Sequence, residues 1–220
     1  MGFLLGKEVG MLPQYGFFAS NAGASSTVDS RCRAPLKPME APEVLRFWFE
    51  RDRKSWFLKN PDFDEKIRQR FLPLYELGAA EKLGGWKRAP ASCLALIVVL
   101  DQFARNMFRG SPKAFAADPL ARDAARIILD NAWDKGMTPD ERMFAYLPFE
   151  HSESLADQER CLALMKSIAI YPQLADLPKW AEAHLVIIRR FGRFPHRNAA
   201  LGRSSTPEEV EFLKQPGSGF

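Results

Sequence analysis

Three stretches of the 220-residue chain set polar groups against strongly apolar surroundings, and chemistry would have to be done there. The first is Asp101-Gln102-Phe103-Ala104-Arg105-Asn106-Met107-Phe108-Arg109. On a helix Asp101 and Arg105 stand one turn apart, as do Arg105 and Arg109, so one stripe carries an acid and two guanidiniums out of a buried segment. Such a stripe must be paired or wet. The second, Tyr146 to Ser154, reads YLPFEHSES and is predicted as a loop between two helices; it holds His151, one of three histidines. Glu150 and Glu153 can fix the tautomer of its imidazole, or can meet arginines from elsewhere. In the third, His184, Arg193, His196, Arg197, Asn198 and Arg203 lie in or after the closing turns of a helix, where Gly192 and Pro195 set a turn that can aim them inward.

Planar guanidinium forks bind carboxylate and phosphate bidentately, so the leading functional reading is a polar pocket for a small anionic molecule. Its candidate binding groups are Asp101, Arg105, Asn106, Arg109, Ser152, His184, Arg193, Arg197, Asn198 and Arg203. Any proton transfer there falls to His151 or His196, with Glu150 or Glu153 orienting the imidazole, which makes these four the candidate catalytic residues. A competing reading pairs the same charges across helices, Asp101, Glu150 and Glu153 against the arginines, as a network that fixes hairpin packing. The chain is then a non-enzymatic module whose helical surface holds a peptide or protein partner. Convergence of Arg and His in one deep cleft suits a small ligand; a broad exposed groove suits a peptide. The three histidines with Glu150 or Glu153 offer donors suited to zinc or iron, but they lie in separate elements without an HExxH or other ligand spacing, so no metal site is assigned. Ser152 lacks the G-x-S-x-G setting of a nucleophilic serine. The sequence names no cofactor, and it does not decide whether the chain is an enzyme.

Composition sets the frame for these residues. With 46% hydrophobic and 26% charged residues the chain has the makeup of a globular protein. The net charge is +4, of which Lys7, Arg31, Arg33 and Lys37 against Glu8 and Asp29 place +2 in the first 38 residues. Acidic and basic residues mix along most of the rest, which argues against a nucleic-acid partner despite the Arg-rich stretch near residue 190. Cys32, Cys93 and Cys161 form no CxxC pair, and Cys93 and Cys161 fall in apolar helical stretches as small buried hydrophobes, so a reducing, cytoplasmic setting fits best. The longest apolar run, Leu94 to Leu100, is far below the ~18 residues that span a bilayer.

Residues 1–38 lack apolar periodicity and are expected to form an irregular tail, with Met39 a plausible start and residues 39–220 one helical domain. Val44, Leu45, Trp48 and Phe49 recur at helical spacing behind Pro42. A second helix over Phe63–Lys82 carries Ile67, Phe71, Leu74 and Leu77, and Pro73 is expected to kink or divide it. A third over Ala91–Phe108 is apolar all round in its first half and therefore central. Further helices are predicted from Asp118 to about Trp133, from Thr138 with Glu141 as a capping box, over Asp157–Ile170, over Pro178–Phe191 ended by Gly192, and from Thr206 with Glu209. Trp48, Trp56, Trp86, Trp133 and Trp180 accompany apolar faces and are assigned to packing. The fold class is all-α, with seven or eight helices and no sheet.

Leu96–Arg109 (LIVVLDQFARNMFR), Tyr146–Glu153 (YLPFEHSE) and Phe191–Arg203 (FGRFPHRNAALGR) together resemble the helical bacterial family known as domain of unknown function nine-two-four. Trp48, Phe49, Trp56, Trp86 and the closing Ser205-Thr206-Pro207-Glu208-Glu209 agree with it, over residues 42–213. Ala104 departs from the proline usual there, and Ser154 from a frequent acid. The resemblance implies an irregular array of packed helical hairpins, a tetratricopeptide-like superhelix, and supplies no activity.

Overall fold

A computed structural model of the chain describes residues 40–219. The expected tail over residues 1–38, Cys32 and Met39 lie outside the described residues. Among the described residues all regular structure is helical. Helix α1 (Ala41–Phe49) has Pro42 in its first turn, where a missing N–H leaves no intrahelical bond unmade, and it buries Val44 and Trp48. Helix α2 (Pro61–Ala79) is capped by the Asn60 side chain, which accepts from the Phe63 amide. Pro73 does not divide it. Ile67, Phe71 and Leu74 are buried on both sides of the proline, and that packing outweighs the one lost backbone bond. Tyr75 and Gly78 complete the buried face in place of Leu77, which is 43% exposed. A Cβ on Gly78 would stand 3.0 Å from a Leu100 methyl, so α2 approaches the central helix closely there.

That central rod is α3 (Pro90–Ile97), a π-helical turn (Val98–Phe103) and α4 (Ala104–Met107) in unbroken succession. Every residue from Cys93 to Ala104 is buried. The sequence predicts a plain α-helix here. The run leading into the turn, Leu94 to Leu100, is apolar on every side and has no periodicity to disturb, so the wider turn leaves no mark in the pattern. Its consequence is local: π turns recur at functional sites, and this one carries Asp101 into the core.

Helix α5 (Asp118–Asp130) stops short of Trp133 because Ala132 takes a left-handed φ of 53°, which turns the chain into a 3-10 turn over Trp133–Gly136. Helix α6 (Pro139–Glu150) opens with the predicted Thr138–Glu141 capping box. It runs on through Tyr146–Glu150, which the sequence reading assigns to a loop, leaving only residues 151–154 outside helix. Met143 to Glu150 are all buried, and their packing carries the helix past Pro148. Helix α7 (Leu155–Ile168) follows, then α8 (Leu177–Phe191), stopped by Gly192 at φ 68°, and α9 (Pro207–Leu213), opened by a Thr206–Glu209 capping box.

Neighbouring rods pair as an array: α6 on α7, α7 on α8, α3 on α1 and α5, and α2 on the π turn. An aromatic knot closes the core, with Phe71 4.6 Å from Phe103, and Trp48 5.5 Å from Phe144. A smaller cluster of Ile187, Ile188 and Phe194, with Phe191 and Phe212, seats α9. Trp48 and Trp56 are buried, and Trp86 and Trp133 pack against the core, as expected of packing residues. Trp180 departs from that assignment at 54% exposure, because α8 turns Ala181, His184, Leu185 and Ile188 inward instead. Among the described residues no helix is long and apolar enough to cross a membrane.

Candidate functional site

Asp101 is fully buried, so its charge needs compensation at close range. Oδ1 forms an ion pair with Arg105 Nη1 at 2.9 Å and accepts from His151 Nδ1 at 2.7 Å, while Oδ2 accepts from Gln102 at 2.6 Å. Burial opposes ionisation, but Arg105 and His151 outweigh it and hold the carboxyl well below the usual range. An ionised carboxylate can only accept, so His151 carries its proton on Nδ1 and keeps a lone pair on Nε2. Burial first, then Arg105, lowers the His151 pKa and keeps the ring neutral near pH 7.

His151 caps α6 and lines a cleft of about 480 Å³. Asp118, Arg122, Ser152, Glu153 and Arg197 supply its other polar walls; Pro112, Phe115, Ala116, Pro119 and Leu201 supply the apolar ones. Arg105 grips both oxygens of Asp118 at 2.8 and 3.0 Å. Arg197 is only 6% exposed and lies over the rings of Phe115 and Phe194 at 4.7 and 4.4 Å. Among the described residues its one ion contact is Asp118 Oδ2 at 3.6 Å, and its buried Nε–H has no hydrogen-bond partner. Burial, reinforced by Arg105, brings its pKa down to about 10. A desolvated guanidinium with an unpaired N–H is costly, and the acid nearest it already belongs to Arg105.

The other candidates divide between this cleft and separate knots. Ser152 donates to Asp157 at 2.7 Å, and Asp157 also meets Arg122 at 3.2 Å. Glu153 is taken by Arg203 through two bonds of 2.7 and 2.9 Å and by the Phe194 amide, so it does not orient His151. Glu150 does not either. Its carboxyl sits 3.8 Å from His184 Nδ1 and 3.9 Å from Cys161 Sγ, and burial followed by the Asp101 charge raises its pKa to about 8. His184 Nδ1 donates to the Trp180 carbonyl at 2.9 Å, and burial lowers its pKa to about 3. His196 flanks Phe194, with its pKa lowered to about 4 by burial and then by Arg197. Asn106 and Arg109 leave the group altogether and bind Asp64 on α2, at 2.6 Å and 2.5 Å. Cys93 and Cys161 are buried free thiols, raised in pKa by burial. Among the described residues no cluster of three or more His, Cys, Asp or Glu is placed to hold a metal ion.

Arg193 and Asn198 build the knot under α9. Glu209 accepts from Arg193 at 2.6 and 2.7 Å, from Asn198 at 3.2 Å and from the Thr206 amide at 2.8 Å. The Arg193 bonds above all draw its pKa from 4.5 down to about 2. A folded pKa below the unfolded one contributes stability in full above pH 4.5 and loses it as pH falls through about 2. We therefore expect α9 to undock across that acid window, read from the Arg193 Nε–H and Thr206 amide resonances. Undocking above the ordinary glutamate range would contradict this.

The sequence profile of a family described as bacterial protein of unknown function (DUF924) matches residues 44–217. The chain belongs to that family. It is also similar to a solved structure, the protein of unknown function ATU0120 from Agrobacterium tumefaciens, at 39% identity and a TM-score of 0.73, covering 79% of this chain and 96% of that one. No match was found among curated proteins. In this DUF924 chain, sequence reasoning passes over Asp118, Asp157, Arg122 and Phe115. Asp118 and Asp157 sit in first turns of helices, where an acid reads as complementing the helix dipole. Arg122 and Phe115 carry no motif. A first-turn acid that is itself buried is the signal that marks these positions, and burial has to be seen in three dimensions.

Proposed function

We propose that the cleft beside His151 binds a small anion, a carboxylate or phosphate, through Arg197, and that the Asp101–His151 pair serves it as a proton carrier. The observation that carries this reading is the Arg197 guanidinium, buried and stacked, whose Nε–H has no hydrogen-bond partner among the described residues. Arg122, shared with Asp157 at the cleft wall, adds a second cation. A neutral imidazole with one nitrogen fixed by a buried carboxylate is suited to accept or hand over a proton at the other. A cytoplasmic setting goes with this reading, on the strength of the two buried free thiols.

Thermal shift of the full chain with a panel of carboxylates and phosphates tests it. A ligand at ~100 times its dissociation constant adds about 2.7 kcal/mol, a rise of several degrees. Arg197→Met keeps the apolar contacts with Phe115 and Phe194 and should abolish that rise. A rise that survives in Arg197→Met would sink the assignment.

A second reading has its own observation. Arg109, Arg193 and Arg203 are each closed by a carboxylate, as a packing network requires. On that reading the array is a tetratricopeptide-like partner-binding module, and no anion moves the melting temperature.

A further inference from the structure

The anion-site reading, on which this inference rests, does not fix the kind of anion; the charges around His151 do. Asp101, Arg105, Asp118 and Arg197 form a chain of alternating sign that sums to zero. The remaining elements bring Glu150 from α6, Glu153 from the loop after it, His184 from α8 and His196 from the turn Pro195–Arg197. Burial keeps Glu150, His184 and His196 neutral near pH 7, and Glu153 is matched by Arg203. Arg122 is shared with Asp157. The site is thus electroneutral while His151 is neutral.

An anion entering on Arg197 leaves one negative charge in a poorly solvated place, against the walls formed by Asp118 and Glu153. His151 lines the same cleft with a free lone pair on Nε2, so it is the group able to take up the balancing proton. One such proton balances a monoanion; a dianion keeps a second charge uncompensated beside two carboxylates. A guanidinium stacked on aromatic rings presents its N–H groups in its own plane, the geometry a planar carboxylate accepts through two bonds. Phe115, Pro119 and Leu201 make the rest of the wall apolar.

We propose that the cleft takes a small monocarboxylate with an apolar body, together with one proton from solvent that settles on His151 Nε2. Calorimetric titration of the full chain at pH 7, with benzoate and with inorganic phosphate, tests this in two cationic buffers of different ionisation enthalpy. Benzoate should bind roughly tenfold tighter than phosphate or better. Its heat should track the buffer with the slope of proton uptake, and His151→Gln should remove that slope while leaving weaker benzoate binding. Tighter phosphate binding that Arg197→Met abolishes would keep the anion site and overturn the monocarboxylate, as would a heat independent of buffer. Binding of neither anion would overturn both this inference and the reading beneath it.

Discussion

Replacing Asp101 with asparagine should lower the unfolding free energy by about 3–5 kcal/mol, because it removes the anion from a buried pair and leaves the cation behind. For a domain of this size that corresponds to a fall in melting temperature on the order of 10 °C. The hydrogen bonds are not the main loss. The asparagine oxygen can still accept from His151, and Gln102 can turn its amide to accept from the new NH2 group. What disappears is the charge, and with it the neutrality of the chain that runs through Arg105 and Asp118 to Arg197. A double-mutant cycle with Arg105→Met isolates the pair: the combined variant should be less destabilised than the two single effects added. Additive effects, or a cost for Asp101→Asn below about 1 kcal/mol, would mean that Asp101 does not anchor the buried charges.

Replacing Glu150 with glutamine should act in the opposite direction. A folded pKa of about 8 against 4.5 unfolded means that the native state holds this proton more tightly than the unfolded chain. The sign follows from linkage: the contribution of Glu150 is greatest below pH 4.5, declines as pH rises, and is fully lost above about 8. At about 1.4 kcal/mol per pH unit, the loss between those limits is on the order of 5 kcal/mol. Glu150→Gln, neutral at every pH, should match the wild type at pH 5 and exceed its stability at pH 9, with a flatter profile between. Denaturant unfolding at the two pH values checks it. Equal pH dependence in the two proteins would show that Glu150 ionises normally in the fold.

The parts of the fold that were legible are those written in local chemistry. The Thr138–Glu141 and Thr206–Glu209 capping boxes, Pro42 at a helix start and Gly192 at a helix end each follow from backbone groups that a neighbouring side chain or a bare Cα can satisfy. Tyr146–Glu150 reads as a loop from sequence because proline and charge suggest one, whereas tertiary burial holds the helix past Pro148. The π turn leaves no mark because the run that leads into it, Leu94 to Leu100, is apolar on every side and has no periodicity for a wider turn to shift. The site was half legible. Asp101, Arg105, His151 and Arg197 converge, but Arg109, Arg193 and Arg203 find Asp64, Glu209 and Glu153 instead. Pairing between helices is fixed by their docking, which no spacing along the chain encodes.

The proposed anion site requires that Arg197 be held ready for an incoming anion. The most direct measurement is a nitrogen–proton NMR titration of the full chain with benzoate, following arginine Nε–H resonances assigned with Arg197→Met. The Arg197 Nε–H should shift progressively and saturate, while those of Arg193 and Arg203, already bound to Glu209 and Asn198, stay in place. An Arg197 resonance unmoved by benzoate and by phosphate alike would contradict the account and leave the charged cluster as a device for packing helices.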